Sequence, residues 1–256
     1  MTHPHHGRGP ATSPTGAGRG CSPGPAELGV PVSIWPGLPA LAAGHSPEAC
    51  PGPVTAATAV RAVAAFSRPG DLVAAPDGSL AVIEAAAAAG RRVLGLIPAG
   101  GRAVAGLPAG VDPAARPLAR LRPGGPGRLL APGDPDAGHA ALAITGCHGP
   151  GCCSPPEPGG ADGLALVFAA CQRVLAPGGV LAVITASRAD GGQLADLAGH
   201  AVAAARAAGL VYAQHVVLVH AAIDGDHFVP GPAATAPASR AGGTQIHSDL
   251  LVFTKP

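Results

Sequence analysis

Leu164, Val167, Phe168, Cys171, Val174 and Leu175 recur at intervals of three and four, the spacing that lines one face of a helix. A Pro177-Gly178-Gly179 breaker ends that period, and Val180 to Thr185 follows as an unalternating run rich in β-branched residues, suited to a strand buried on both faces. Together they form one helix–strand unit of an α/β domain. Similar units precede it. A helix is expected from Val54 to Phe66, stopped by Arg68-Pro69-Gly70-Asp71, with Leu72 to Ala75 as a first parallel strand. The loop Pro76-Asp77-Gly78-Ser79 leads into an alanine-rich helix reaching Ala89 and closed by Gly90. Arg92 to Ile97 reads as a second strand, Pro113 to Leu121 as the site of a helix, Arg128 to Ala131 as a third strand and Ala140 to Thr145 as a fourth.

After the fifth strand at Val180 to Thr185, the pattern predicts a helix from Leu194 to Ala208 closed by Gly209, a sixth strand from Val211 to His220, a long Gly/Pro/Ala-rich loop, and a last strand from Asp249 to Thr254. Val32 to Trp35 reads as a short strand or anchor ahead of them all. Two final strands without a helix between them predict a mostly parallel sheet with an antiparallel last strand. Residues 1 to 30, rich in His, Gly, Pro, Ser and Thr, hold too little apolar surface to offset chain entropy and are expected to be a disordered tail, leaving a single domain over 31–256.

Composition changes the picture of the core. Hydrophobic residues make up 47% of the chain but aromatics only 2%, so Ala, Val and Leu must fill the interior with few large anchors. Lys255 is the only lysine among 16 basic residues, and Gly and Pro are abundant throughout. Isolated Arg, Gly and Pro residues therefore carry little weight. A net charge of +1 gives no global drive toward nucleic acid or an acidic membrane. Locally, however, Arg91, Arg92, Arg102, Arg116, Arg120, Arg122 and Arg128 face a single acid, Asp112, so the Arg91 to Arg128 segment is a candidate phosphate-tracking face for nucleic acid, or a solvated basic face. No apolar run is long enough to span a bilayer and no signal peptide is visible, which predicts a cytoplasmic protein with reduced cysteines.

The segment Cys171-Gln172-Arg173-Val174-Leu175-Ala176-Pro177-Gly178-Gly179-Val180-Leu181 resembles the approach to the fifth strand of class I S-adenosylmethionine (SAM) dependent methyltransferases. Ser33-Ile34-Trp35, the Pro51 to Phe66 helix, Arg68-Pro69-Gly70-Asp71-Leu72-Val73 and Ser248-Asp249-Leu250-Leu251-Val252-Phe253 follow in the order that resembles bacterial DNA methyltransferases acting on the exocyclic amine of cytosine or adenine. The resemblance implies a Rossmann-like α/β sheet whose antiparallel last strand lies between the fifth and sixth, with SAM as cofactor.

It also implies where chemistry should sit. The family's Asp-Pro-x-x-Gly-x-Gly loop corresponds to Ala75, Pro76, Asp77, Gly78 and Ser79, with the acid replaced by Ala75, the loop shortened, and Asp77 as a shifted substitute. A ribose-binding carboxylate is expected where Ile97 stands, and losing a charged hydrogen bond typically costs about 1.5–3 kcal/mol. Asp134 falls where the family has an adenine-contacting aspartate, or is a turn residue before Pro135. The Asp/Ser/Asn-Pro-Pro-Tyr/Phe motif, which would polarise the target amine and stack on a flipped base, is replaced by Gly146, Cys147, His148 and Gly149. Ser154-Pro155-Pro156-Glu157 lies too far downstream to serve.

The expectation is a pseudoenzyme of that lineage, without strong DNA methylation and with SAM binding weak or lost. The alternative is an active SAM-dependent methyltransferase, acting on nucleic acid or a small molecule through Asp77, Asp134 and the 146–149 loop. Cys147 beside His148 could be a nucleophile. Cys147, His148, Cys152 and Cys153 could bind a soft metal or act in redox chemistry, although adjacent cysteines suit a tetrahedral site poorly, and the sequence reading assigns no metal. His215 and His220, five apart in one strand, fall on opposite faces and cannot share a metal.

Overall fold

A computed structural model of the chain describes residues 29–38, 54–97, 111–124, 134–147, 160–186, 189–190, 193–194, 196–230 and 247–256. The elements are β1 (Val32–Trp35), α1 (Ala56–Phe66), β2 (Leu72–Ala75), α2 (Leu80–Ala88), β3 (Arg92–Ile97), β4 (Ala119–Pro123), β5 (Ala140–Cys147), α3 (Gly160–Val174), β6 (Leu175–Thr185), β7 (Ala189–Asp190), β8 (Gln193–Leu194), α4 (Leu197–Ala207), β9 (Val211–Val219), β10 (Ala221–Asp224), β11 (His227–Pro230) and β12 (His247–Thr254).

Eight strands form the central sheet in the order β1-β9-β12-β6-β5-β2-β3-β4. Every pairing is parallel except those of β12, which runs antiparallel to both β6 and β9. The last strand thus lies between the fifth and sixth, as expected. Period-two alternation sends neighbouring residues to opposite faces. Val73, Leu142, Ile144, Ala182, Ile184, Val216 and Leu250 pack on one face with Ala59 and Val63 of α1 and Val82 and Ile83 of α2. Ala143, Leu181, Val183, Leu251 and Phe253 pack on the other with Phe168 and Cys171 of α3 and Ala201 and Ala205 of α4.

Five of the six aromatics pack in two groups, one on each face of the sheet. Phe253 lies 6.4 Å from Phe168 and 5.1 Å from Tyr212 between ring centres on the α3/α4 side. On the α1 side Trp35 stacks on Phe66 at 6.1 Å, with the Arg61 guanidinium 4.8 Å over the indole, which fixes the short β1 to the domain.

Four sequence expectations are corrected. The helix expected within Pro113 to Leu121 is a single 3-10 turn, Arg116–Leu118, followed by β4, and β4 takes the third parallel position beside β3. Ala119-Arg120-Leu121-Arg122 alternates with period two: Leu121 packs on the α1/α2 core while the arginines face Asp134 and Asp136. Residues 128–131, expected to supply that strand, lie outside the described residues, as do residues 1–28 of the expected tail.

Second, α4 begins at Leu197, not Leu194, because Asp196 caps it by accepting from Gly199 N at 2.7 Å, while Gln193–Leu194 pair with Ala189–Asp190. Third, β10 and β11 form a hairpin where a loop was expected; Asp224 pairs with His227, leaving Gly225-Asp226 as a two-residue turn, and Gly225 has φ of 60°. Fourth, β6 takes the Pro-Gly-Gly turn into the strand, beginning at Leu175.

That turn is held by the chain's last strand. Gly178 N donates to Lys255 O at 2.8 Å, Lys255 N donates to Gly179 O at 2.9 Å, and the Lys255 ammonium donates to Leu175 O at 2.8 Å, next to the C-terminus of α3. Among the described residues no helix is long and apolar enough to cross a membrane.

Candidate functional site

The parallel strands end along one edge of the sheet, at Ala75, Ile97, Cys147, Thr185 and Val219, the edge where open α/β sheets take their ligands. At β2 the chain turns sharply: Pro76 presets the turn, Gly78 takes φ of 70°, and Gly78 N donates to Ala75 O at 3.1 Å. This places Asp77 over the neighbouring strand. Its Oδ2 accepts from Gly146 N at 2.8 Å and from the Thr145 hydroxyl at 3.3 Å, and its Oδ1 accepts from Ser79 N at 3.0 Å. The carboxylate therefore staples the β2–α2 loop to the end of β5. Ala75, in the position of the family's acid, is fully buried. Ser79 stands at the N-cap of α2 without a side-chain capping bond.

Ile97 pairs with Pro123 of β4, and residues 98–110 beyond it lie outside the described residues. Asp134 belongs to a separate cluster. Its Oδ2 is 2.6 Å from Arg122 Nη1, its Oδ1 accepts from Asp136 N at 2.9 Å, and Asp136 in turn pairs with Arg122 and Arg120. The Asp136 amide and the Arg122 guanidinium hold the Asp134 carboxyl below its usual range.

A depressed folded-state value means that this pairing stabilises the fold fully above the unfolded carboxylate range and is lost as pH falls through the folded value. Asp134→Asn is accordingly expected to lower the melting temperature near neutral pH. The gap from the parent should begin to narrow as pH falls past about 4, the unfolded carboxylate value, and should close only below the depressed folded value, where both proteins carry a neutral side chain. Thermal melts across pH check this.

Of the loop expected to carry catalysis, Gly146 and Cys147 are described; His148 and Gly149, with Cys152, Cys153 and Ser154, lie outside the described residues. Cys147 is buried on the α3 side and burial pushes its thiol up, away from the thiolate a nucleophile needs. Among the described residues no group of three or more His, Cys, Asp or Glu is arranged to hold a metal.

The arginine segment is largely occupied within the fold. Arg91 donates to Ser67 O, Ser67 Oγ and Ala89 O, joining the ends of α1 and α2, and Arg92 donates to Gly70 O. Arg120 and Arg122 are the ion-paired residues of the Asp134 cluster, and Arg102 and Arg128 lie outside the described residues.

Two polar pairs near the same edge were not singled out by sequence reasoning. His220 Nε2 is 2.8 Å from Ser248 Oγ on the α1/α2 face. His215 Nε2 is 2.9 Å from Asp249 Oδ1 on the α3/α4 face, so the two histidines do point to opposite sides. Thr185, buried at the end of β6, is the register partner of both Cys147 and Asp249. The one hint in the sequence is a polar residue at the rim of an apolar run, Asp249 before Leu250 and Thr185 after Ile184; which residues meet is decided by register.

No protein-family profile and no curated protein matches the chain. Solved structures do. A geranyl diphosphate methyltransferase in complex with geranyl diphosphate and sinefungin is 15% identical with a TM-score of 0.52, covering 78% of this chain and 78% of its own. A 16S rRNA (adenine(1408)-N(1))-methyltransferase from Catenulisporales acidiphilia, with SAM, is 19% identical over 79% of this chain and 92% of its own, with a TM-score of 0.47. A TehB-like SAM-dependent methyltransferase from Corynebacterium glutamicum is 16% identical over 77% and 87%, with a TM-score of 0.43. The chain has the Rossmann-like α/β fold of methyltransferases, mostly parallel with an antiparallel last strand.

Proposed function

We propose that this protein is a methyltransferase-fold pseudoenzyme of the DNA amino-methyltransferase lineage: its carboxyl edge binds SAM weakly and does not methylate the exocyclic amines of DNA. The shared fold with a methyltransferase solved around sinefungin supports a nucleoside-type ligand at that edge. The observation that carries the weakness is the Asp77 carboxylate. A carboxylate has about four acceptor sites, and Gly146 N, the Thr145 hydroxyl and Ser79 N use three of those on Asp77.

The other polar contacts fare no better. Ala75 and Ile97 offer no carboxylate, and Asp134 is bound to Arg122. Among the described residues the donor set therefore fits the ammonium and ribose groups of SAM poorly, and no chemical step is derived through it. Each missing charged hydrogen bond weakens binding by roughly ten- to a hundredfold.

Calorimetric titration of SAM into the full-length protein, with mass spectrometry of any cofactor retained on purification, tests this. Binding no tighter than about 100 μM and no methyl transfer to DNA are expected, two such contacts having been lost. Sub-micromolar binding or a carried-over cofactor overturns the reading.

A further inference from the structure

On the α3/α4 face, one row across the carboxyl edge brings together Cys147 of β5, Thr185 of β6 and Asp249 of β12. Thr185 is in register with both its neighbours. Side chains directly opposite in a sheet share a face, with Cβ atoms about 4.5–5.5 Å apart in an antiparallel pair. His215, on the same face of β9, reaches diagonally to Asp249 at 2.9 Å.

Two members of this row carry an unfilled requirement. Thr185 is 1% exposed and its Oγ1 has no hydrogen-bond partner among the described residues. A buried hydroxyl left so is destabilising unless something pairs with it. Asp249 is 8% exposed, and its only ion-pair partner among the described residues is the His215 imidazole, whose own side chain is 29% exposed. His215 reaches one carboxylate oxygen, Oδ1, and no Lys or Arg pairs with Asp249 among the described residues. The Tyr212 hydroxyl lies close enough to feel the charge: burial and then the Asp249 carboxylate push it up.

We propose that Thr185 and Asp249 form a binding site for the amino group of a small primary amine. The ammonium supplies the counter-charge to Asp249 and a donor to Thr185 Oγ1. An ammonium has three donors and no acceptor, which matches a carboxylate beside an orphaned hydroxyl. Thr185 and Asp249 belong to β6 and β12, and the three bonds of the Asp77 staple reach neither of them, so the amine site does not depend on whether SAM binds.

The full-length protein is titrated with ethanolamine, and with ethylene glycol as its uncharged counterpart, by calorimetry and by NMR of the His215 imidazole. Ethanolamine is expected to bind at about millimolar strength, as befits so few atoms, and ethylene glycol not to bind. Thr185→Val, which keeps the volume, weakens ethanolamine roughly tenfold and raises the melting temperature of the ligand-free protein, since it removes the orphaned hydroxyl. A purely structural hydroxyl gives the opposite shift.

Asp249→Asn abolishes amine binding; if that variant does not fold, Thr185→Val decides alone. No heat and no movement of the His215 resonances with ethanolamine, or equal affinity in Thr185→Val, overturns the proposal. So does equal binding of ethylene glycol.

Discussion

Gly179→Ala is expected to destabilise the fold by on the order of 3 kcal/mol, which lowers the melting temperature by roughly 6–12 °C for a domain of this size. A Cβ at that position would sit 2.8 Å from Ala176 O and 2.9 Å from Ala140 O, and 3.2 Å from Ala176 N. All three are backbone atoms, so no side chain can swing away. Relief requires moving the start of β5 or the turn itself. The turn is fixed from its other side by Lys255, which bonds Gly178 N, Gly179 O and Leu175 O.

The adjacent glycine makes the control. Gly178 has φ of 74° and open space where its Cβ would be. Gly178→Ala therefore pays only the left-handed backbone penalty, about 1 kcal/mol. The two substitutions, compared by circular dichroism melts, should differ about threefold in effect. Equal effects would mean that the turn relaxes as a unit.

Asp77→Ala should cost a similar amount, about 2–4 kcal/mol in urea denaturation. It removes the acceptor for Gly146 N, Thr145 Oγ1 and Ser79 N together, and these come from two different elements. Asp77→Asn keeps an acceptor oxygen but loses the charge, and it should lie between the two. Hydrogen exchange locates the loss: protection of the Gly146 amide should fall sharply in Asp77→Ala while amides in the middle of β5 keep theirs. Unchanged stability in Asp77→Ala would show that the loop is held by other contacts, and would remove the main support for a weakened cofactor site.

Much of the fold was legible because its signals are local. The β2–α2–β3 unit and the α3–β6 unit each carry a helical stretch, a glycine breaker and an apolar run within about thirty residues. The antiparallel direction of β12 followed from two strands left without a helix between them, and its place between β6 and β9 from the resemblance to methyltransferases. The β4 strand was missed because Arg120 and Arg122 suit an exposed helix as well as an edge strand; only Asp134 and Asp136, more than ten residues on, show which face they share.

The site was less legible for a related reason. Asp77 could be picked out as a shifted acid, but its partners Thr145 and Gly146 are nearly seventy residues away in the chain and meet it only across the β2–β5 pairing. Thr185 and Asp249 belong to no local motif either, since their meeting depends on the register of an antiparallel pair. A slip of one residue would have turned both away.

The central position of β12 also bears on how the chain assembles. Before residue 247 is in place, the sheet consists of two unlinked parts: β6-β5-β2-β3-β4, and β9 with β1. Each part ends in an open edge, at β6 and at β9, lined by Val183, Ile184, Val216 and Leu218. Open apolar edges are templates for pairing with other chains. Insertion of β12 closes the gap between these two edges, and until it does, both are free to pair with other chains.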